Sequence, residues 1–414
     1  MTATTEPVGV IAAGVSGAEA ELKRRVHLRL LAAAGADTET DAAGRSAARL
    51  RATIADLLRA EAPLLAHRRH DVLVDELVHE VSGLGPLQPL FADAAVSEVM
   101  INGSDRVYVE RHGRVEPVPL ALGVDVTLRL VERIIGPLGL RLDRSSPIVD
   151  ARLPDGSRLH AVIPPLAVDG PCVTIRRFVA DGVGLDGFGV VGGPAAFLRW
   201  AVANGANIVV SGGTSAGKTT LCNALAGAVP VGDRVVTIEE TAELRLPLPH
   251  VVRLEARPPN AEGAGGVPVR ALVRAALRMR PDRIVVGEVR GGEAFDLLQA
   301  LNTGHDGSLT TVHANGVNAV VDRLTALVLL AGTGVPAAAA HLQIAEALDY
   351  VVHVARRDGR RRVQAVAEVR RGADGVVIAP LYVWEAGDLA AVARPARAPR
   401  RSDAAPLDPA WFTC

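Results

Sequence analysis

Lys218 is the residue whose chemistry stands out first. The chain has 414 residues and 45 Lys and Arg in total, yet only Lys23 and Lys218 are lysine. A sequence that writes arginine almost everywhere has kept a compact ammonium on a thin stem at 218, where a planar guanidinium fork would not substitute. Around it, Gly212-Gly213-Thr214-Ser215-Ala216-Gly217-Lys218-Thr219 matches G-x-x-x-x-G-K-[ST]. The match follows the apolar run Ile208-Val209-Val210 and opens a helical segment, the context such a loop needs. Its glycines let backbone N–H groups wrap a phosphate, the helix start adds positive dipole, and Lys218 reaches the β- and γ-phosphates. Thr219 offers a hydroxyl to Mg²⁺, and Thr220 completes the candidate nucleotide-binding set. ATP with Mg²⁺ is the expected cofactor pair. Neither an N-K-x-D base-reading motif nor an L-S-G-G-Q signature occurs, which argues against GTPases and transporter ATPases.

Hydrolysis also needs carboxylates at the carboxyl ends of sheet strands, one to orient water and one to serve the metal shell. Two segments could supply them. Val236-Thr237-Ile238-Glu239-Glu240-Thr241-Ala242-Glu243 ends an apolar run in three acids, and read alone a solvated acidic turn is the plainer reading. Arg283-Ile284-Val285-Val286-Gly287-Glu288 is an apolar strand ending in Glu288, the form of a Walker B strand with glutamate in place of the commoner aspartate. Further on, His305 precedes and His313 follows the run Leu309–Val312. A zinc pair is conceivable, but no Cys or third close His completes a site, and a purely structural pair is the plainer reading.

Positioning these groups calls for alternating strands and helices. Strands are expected at 207–210, 234–238, 251–255, 283–286 and 309–312, and helices at 218–228, 268–280, 293–302, 317–330 and 337–348. Such alternation predicts a mainly parallel sheet with helices on both faces. Runs at 350–355, 363–369 and 376–384 predict an antiparallel C-terminal extension, giving an ATPase domain over 194–392. Upstream, short strands at 97–103, 107–110, 158–163 and 172–178, and a helix over 125–135 capped by Asp125, predict a smaller α+β domain over 83–180. Leu22, Val26 and Leu30, then Ile54 and Leu58, then Leu73 and Leu77 fall at helical spacing, so 21–82 reads as a helical appendage with a loop near 34–44. Residues 1–20 and 393–414 read as disordered, and the glycine-rich stretch 181–193 as a linker.

Composition narrows the function classes. Half the chain is apolar (49%) but aromatics are only 3%, and the formal net charge is −1. No overall field favours nucleic acid or an acidic membrane surface. Cys172, Cys222 and Cys414 make neither a disulfide framework nor a zinc site. No uninterrupted apolar run is long enough to cross a bilayer, and the N-terminus lacks a signal-peptide pattern, so no direct membrane insertion is expected and the expected location is the cytoplasm.

In this order, the motifs resemble the type II/type IV secretion-system ATPase family, and most of all its tight-adherence (Flp) pilus branch, from about Gly83 to Leu348. Gly83-Leu84-Gly85-Pro86-Leu87, Val99-Met100-Ile101-Asn102-Gly103, the run from Ser145 to Arg158, Ile163-Pro164-Pro165 and Thr174-Ile175-Arg176-Arg177-Phe178 are similar to the family's N-terminal domain. Thr237–Leu244 looks like its Asp box, Ile284–Arg290 its Walker B and Thr303–Asn315 its His box. The resemblance implies a RecA-like P-loop domain behind a smaller α+β domain, in a homo-hexamer with nucleotide bound between the two. It implies Glu243 as the catalytic carboxylate supported by Glu239, and Glu288 in the Mg²⁺ shell. His305 and His313 would couple nucleotide state to domain movement, and Arg158 and Arg176 would reach the phosphates. It further implies a peripheral location at the inner face of the cell membrane and a polytopic inner-membrane platform protein as partner. Two features depart from the pattern: Glu240 stands where aspartate is usual, and there is no four-cysteine zinc module. Besides a pilus or secretion motor, the residues leave open a nucleic-acid translocase, although aromatics to stack bases are scarce, and a nucleotide-gated scaffold without turnover.

Overall fold

The computed structural model describes residues 17–34, 43–153, 155–177, 182–259, 263–357, 359–372, 375–401 and 403–413. Residues 1–16, most of the 34–44 loop, Phe178 and the start of the 181–193 linker therefore lie outside the described residues. The chain divides into two compact units, residues 1–178 and 179–414.

The first unit opens with α1 (Gly17–Ala34), α2 (Ala43–Glu61) and α3 (His67–Ser82). The helical spacing puts Leu22 with Val26, Ile54 with Leu58 and Leu73 with Leu77 on one face of each helix, and all six are buried together. Lys23 bridges α1 to α3, its Nζ lying 2.7 Å from Glu76 and 2.8 Å from Glu80. α1 begins at Gly17, four residues before the spacing predicts. Next come α4 (Gln88–Ala92), β1 (Val96–Asn102), β2 (Arg106–Arg111), β3 (Arg114–Val118), α5 (Val124–Ile135), β4 (Ile148–Arg152), β5 (Arg158–Val162) and β6 (Cys172–Arg176). The six strands form one antiparallel sheet in the order β3-β2-β1-β6-β5-β4. The sequence reading lacked its two edge strands: β3 is nearly all exposed, so apolar alternation gave no signal. At the start of α5, Gly123 holds the N-cap position with no side-chain cap, and Asp125 falls in the first turn instead.

The second unit carries α6 (Gly192–Ala203), β7 (Ile208–Gly212), α7 (Lys218–Ala226), β8 (Val235–Glu239), β9 (Val251–Glu255), α8 (Val269–Ala276), β10 (Arg283–Val289), α9 (Glu293–Leu301), β11 (Leu309–His313), α10 (Ala319–Leu330) and α11 (Ala337–Ala347). It ends with β12 (Tyr350–Arg357), β13 (Arg360–Gly372), β14 (Gly375–Glu385) and β15 (Asp388–Ala391). One nine-stranded sheet has the order β15-β14-β13-β12-β7-β11-β10-β8-β9, parallel from β12 to β9 and antiparallel beyond. β7 and β8 are buried at every residue, as strands covered on both faces must be. α6 and α7 pack on one face through Phe197, Leu198, Leu221 and Leu225. α8 to α11 pack on the other through Val273, Leu297, Leu324 and Ile344.

Two expectations are corrected here, a linker over 181–193 and a disordered tail over 393–414. Within the 181–193 linker, Leu185–Phe188 forms a 3-10 turn whose Leu185 and Phe188 are buried in the sheet's core. The glycines around them suggested an interdomain linker, but two large apolar side chains have enough area to hold the segment against the core. The 393–414 tail is also ordered over its described residues. Phe412 is buried, its ring centroid 5.2 Å from both Phe197 and Tyr382, and Tyr382 Oη donates to the Trp411 carbonyl at 3.0 Å. Trp200 Nε1 donates to the Ala405 carbonyl at 2.7 Å. The tail's arginines meet buried carboxylates: Arg400 Nε reaches Asp349 at 2.6 Å and Arg401 Nη2 reaches Asp233 at 2.6 Å. Proline, alanine and arginine looked low in complexity because their partners are far away in sequence. Replacing Phe412 by Ala should therefore destabilise the second unit by about 3 kcal/mol, read as a lowered denaturant midpoint. An unchanged midpoint would mean that the tail adds nothing to the core.

Candidate functional site

β7 delivers the chain to the sheet's carboxyl edge, and residues 213–217 turn it into α7. Ser215 (φ +57°) and Gly217 (φ +94°) both adopt left-handed backbone, curling the loop into the form in which successive amides converge on an anion. Gly212 is required by packing, since a Cβ there would strike the Val354 carbonyl of β12.

Lys218 is only 8% exposed. Its Nζ donates to the Gly212 carbonyl at 3.2 Å and the Gly213 carbonyl at 3.0 Å, and lies 3.0 Å from His313 Nε2 and 4.0 Å from Glu288 Oε1. His313 Nδ1 in turn hydrogen-bonds Glu288 Oε1. An ammonium only donates, so His313 Nε2 accepts from Lys218 and Nδ1–H donates to the carboxylate. The strand order makes this possible: β7, β11 and β10 are neighbours, so 212–218, 313 and 288 end on one edge. Thr214 Oγ1 lies 3.3 Å from the same His313 Nε2. Thr219 and Thr220 sit half-buried in the first turn of α7, beside Lys218.

Glu288 has a second partner. Arg290 Nε donates to its Oε2 at 2.8 Å, while Arg290 Nη1 donates to Glu240 Oε2 at 2.9 Å. Burial would raise the Glu288 carboxyl, but the Arg290 hydrogen bonds and charge, with His313 and Lys218, outweigh it and hold it below its ordinary value. Glu288 and the Thr219 hydroxyl are hard oxygen donors, the type Mg²⁺ takes beside phosphate oxygens, so the residues present fit that ion.

Glu239 plays a different part. It is 3% exposed, and its Oε1 accepts from the backbone N–H of Glu243 and of Leu244, each at 2.9 Å. Its Oε2 is buried without a hydrogen-bond partner among the described residues. Gly287 on the adjoining β10 makes room, because a Cβ there would lie 2.7 Å from Glu239 Cγ. Glu239 thus shapes the turn that carries Glu243, which is itself half-buried.

The two box histidines are not brought together. His305 sits in the turn before β11, its Nδ1 3.1 Å from the Ala300 carbonyl, whereas His313 ends the strand. The strand between them spans about 13 Å, so they cannot share a metal ion. No cluster of three or more His, Cys, Asp or Glu able to hold a metal occurs among the described residues. Arg158 and Arg176 stand opposite each other on β5 and β6 of the first unit, and Arg176 also faces Glu98 on β1. Arg290 went unread although it lies two residues beyond Glu288, where a cation after a Walker B acid is a usable signal. His353, whose Nδ1 is 3.0 Å from Ser211 Oγ, had none, being 142 residues away.

Residues 80–375 match the family model described as type II/IV secretion system protein. The chain belongs to that family. Among its relatives, a Mycobacterium tuberculosis (strain H37Rv) protein carrying a conjugal-transfer name, Rv3659c, is 43% identical over 319 residues, covering 74% of this chain and 90% of that protein. The type IV secretion system protein PtlH of Bordetella pertussis (strain Tohama I) is 35% identical over 321 residues, covering 68% of this chain and 92% of its own. Among solved structures, the VirB11 ATPase of the Brucella suis type IV secretion system, in complex with sulphate, is 30% identical, with a TM-score of 0.39 over 69% of this chain and 93% of that one. No helix among the described residues is long and apolar enough to cross a membrane.

Burial pushes the Glu239 carboxyl up from 4.5 to about 7, against the pull of the two backbone donors. The folded chain then binds more protons than the unfolded one across that window, so the stability Glu239 contributes is present below pH 4.5 and lost as pH rises to about 7. Glu239→Gln should flatten that decline in unfolding free energy, measured by denaturation at a series of pH values. A slope identical to that of the unsubstituted chain would remove Glu239 as its source.

Proposed function

We propose that this chain is an ATP-hydrolysing motor with a RecA-like P-loop core, working as a homo-hexamer that powers pilus assembly or secretion through a polytopic inner-membrane platform protein. The observation that carries the reading is the Lys218–His313–Glu288 chain, in which the candidate phosphate-binding ammonium, an imidazole and the candidate metal-shell carboxylate touch in series. A γ-phosphate would draw Lys218 off the Gly212 and Gly213 carbonyls, and the loss of that contact would be felt at His313 and Glu288. Membership of the family supports the reading. Having only three cysteines, the chain lacks the zinc module of many pilus-extension members, which supports the tight-adherence or conjugation-like branches. The site of action follows as the cytoplasmic face of the membrane, held there by the partner.

In this mechanism the loop amides, Lys218 and the start of α7 bind the triphosphate, and Thr219 with Glu288 would hold Mg²⁺, which neutralises phosphate charge when bound. Glu243 orients the attacking water and takes its proton, its backbone held by Glu239. Arg158 and Arg176 offset the charge that develops on the transferred phosphoryl group. His313 couples the loop to Glu288, and His305, at the far end of β11, extends that coupling towards the opposite edge of the sheet.

Glu243→Gln should lower ATP turnover by about 10²–10⁴-fold with ATP binding kept, and the mass of the wild-type assembly with ATP should be that of six subunits. Turnover unchanged in Glu243→Gln would move the base to another carboxylate. Turnover that rises on adding DNA would favour the translocase reading, and ATP binding with no turnover in any assembly state would favour a nucleotide-gated scaffold.

A further inference from the structure

β12 pairs in parallel with β7, with His353 opposite Ser211, and then runs on through Arg357. Four residues at about 3.3 Å each carry it on the order of 13 Å past the end of that pairing. It leaves at the carboxyl edge of the parallel strands, where open α/β sheets bind their ligands. β13 returns alongside, pairing Arg357 with Arg360, Arg356 with Arg361 and Ala355 with Arg362. A short hairpin beside the phosphate loop thus carries five arginines.

The hairpin is in contact with the loop. The space a Cβ would take at Gly217, the residue before Lys218, lies 2.8 Å from Arg361 Cδ and 3.2 Å from Phe188 Cε1. Gly189, next in the chain after Phe188, has the same relation to Trp384 Cζ3 at 2.9 Å and Arg362 Nη1 at 3.3 Å. The Arg362 guanidinium lies 4.6 Å from the Trp384 ring centroid. Arg357, Arg360, Arg362, Gln364 and Trp384 line an open groove of about 520 Å³, a size usual for small-molecule sites. An arginine fork matches phosphate, and an indole face with a guanidinium stacked on it matches a flat heterocycle.

We propose that this hairpin forms the nucleoside-side wall of the nucleotide site, with Arg361 reaching the α-phosphate and the Trp384–Arg362 groove receiving the base. The inference rests on the ATP-binding reading above and goes beyond it by assigning residues to the part of the nucleotide that the phosphate loop does not grip. The Arg361 stem lies against Gly217 of the loop itself, which favours a nucleotide over an acidic partner protein or a lipid surface.

The test is calorimetric binding of ATP and of inorganic tripolyphosphate to the full chain and to Arg361→Gln, Trp384→Leu, Trp384→Phe and Lys218→Ala. Arg361→Gln should weaken both ligands by about tenfold. Trp384→Leu should weaken ATP by about tenfold and leave tripolyphosphate unchanged, and Trp384→Phe, which keeps an aromatic face, should retain most of the ATP affinity. Lys218→Ala should abolish binding of both. Wild-type ATP affinity in Arg361→Gln and Trp384→Leu, with Lys218→Ala inactive, would overturn the hairpin assignment and leave the ATP reading standing. Equal loss of both ligands in Trp384→Leu, or hairpin-dependent binding to phosphatidylserine vesicles with ATP affinity unchanged, would also overturn it. Failure of the wild-type chain to bind ATP at all would overturn the ATP reading itself.

Discussion

The constraint on which the second unit turns is the burial of a single ammonium. An unpaired charge taken out of water costs several kcal/mol, so Lys218 can sit at 8% exposure only if its surroundings answer it. Two loop carbonyls, an imidazole nitrogen and, at 4.0 Å, a carboxylate do so. They come from the ends of three neighbouring strands, so the compensation exists only while β7, β11 and β10 stay side by side. On the proposed ATP-binding reading, a phosphate that captured Lys218 would compete with those partners and so tie binding to the state of the sheet's edge.

A parallel logic runs along the opposite edge, where carboxylates are buried and arginines meet them. Arg283, fully buried at the start of β10, donates to Asp233 at 2.6 Å and to the Val202 carbonyl at 2.6 Å. Asp349 accepts from the Asn207 N–H at 2.7 Å and from Arg400 at 2.6 Å. Glu368 accepts from the backbone N–H of Ala396 and of Arg397. Removing one partner of such a pair strands a buried charge, typically at a cost of about 3–5 kcal/mol. The tail is held to the unit by these pairs and by Phe412, which is why a composition typical of disorder is ordered in place. Several of these arginines reach a carboxylate and carbonyls with one side chain, which a single ammonium does less well.

Legibility in the sequence followed the range of the interactions. The glycine-rich turn from β7 into α7, the apolar strand β10 with Glu288 and the parallel core strands were readable because their signals lie within a few consecutive residues. The exposed strand β3 gave no apolar alternation, and Leu185 and Phe188 were masked by the glycines beside them. The histidines share one motif, yet a single intervening strand puts them at opposite ends of the sheet. Glu239 was expected as a support for Glu243, but the form of that support, a buried carboxyl accepting two backbone N–H groups, depends on the cavity that Gly287 leaves.

By itself the sequence determined which chemistry its residue types could offer. Glycines that permit left-handed backbone, one lysine, a threonine and acids closing apolar strands are properties of residue type and local spacing, and they carry over into any fold that keeps the local elements. The tertiary structure decided who partners whom. It put Glu288 and His313 against Lys218, Arg290 between Glu288 and Glu240, the tail arginines on Asp349 and Asp233, and an arginine hairpin beside the phosphate loop. Those pairings depend on separation and burial, through Coulomb energy and desolvation. In a sheet built by crossovers, residues tens of positions apart become neighbours, and no local pattern encodes that distance.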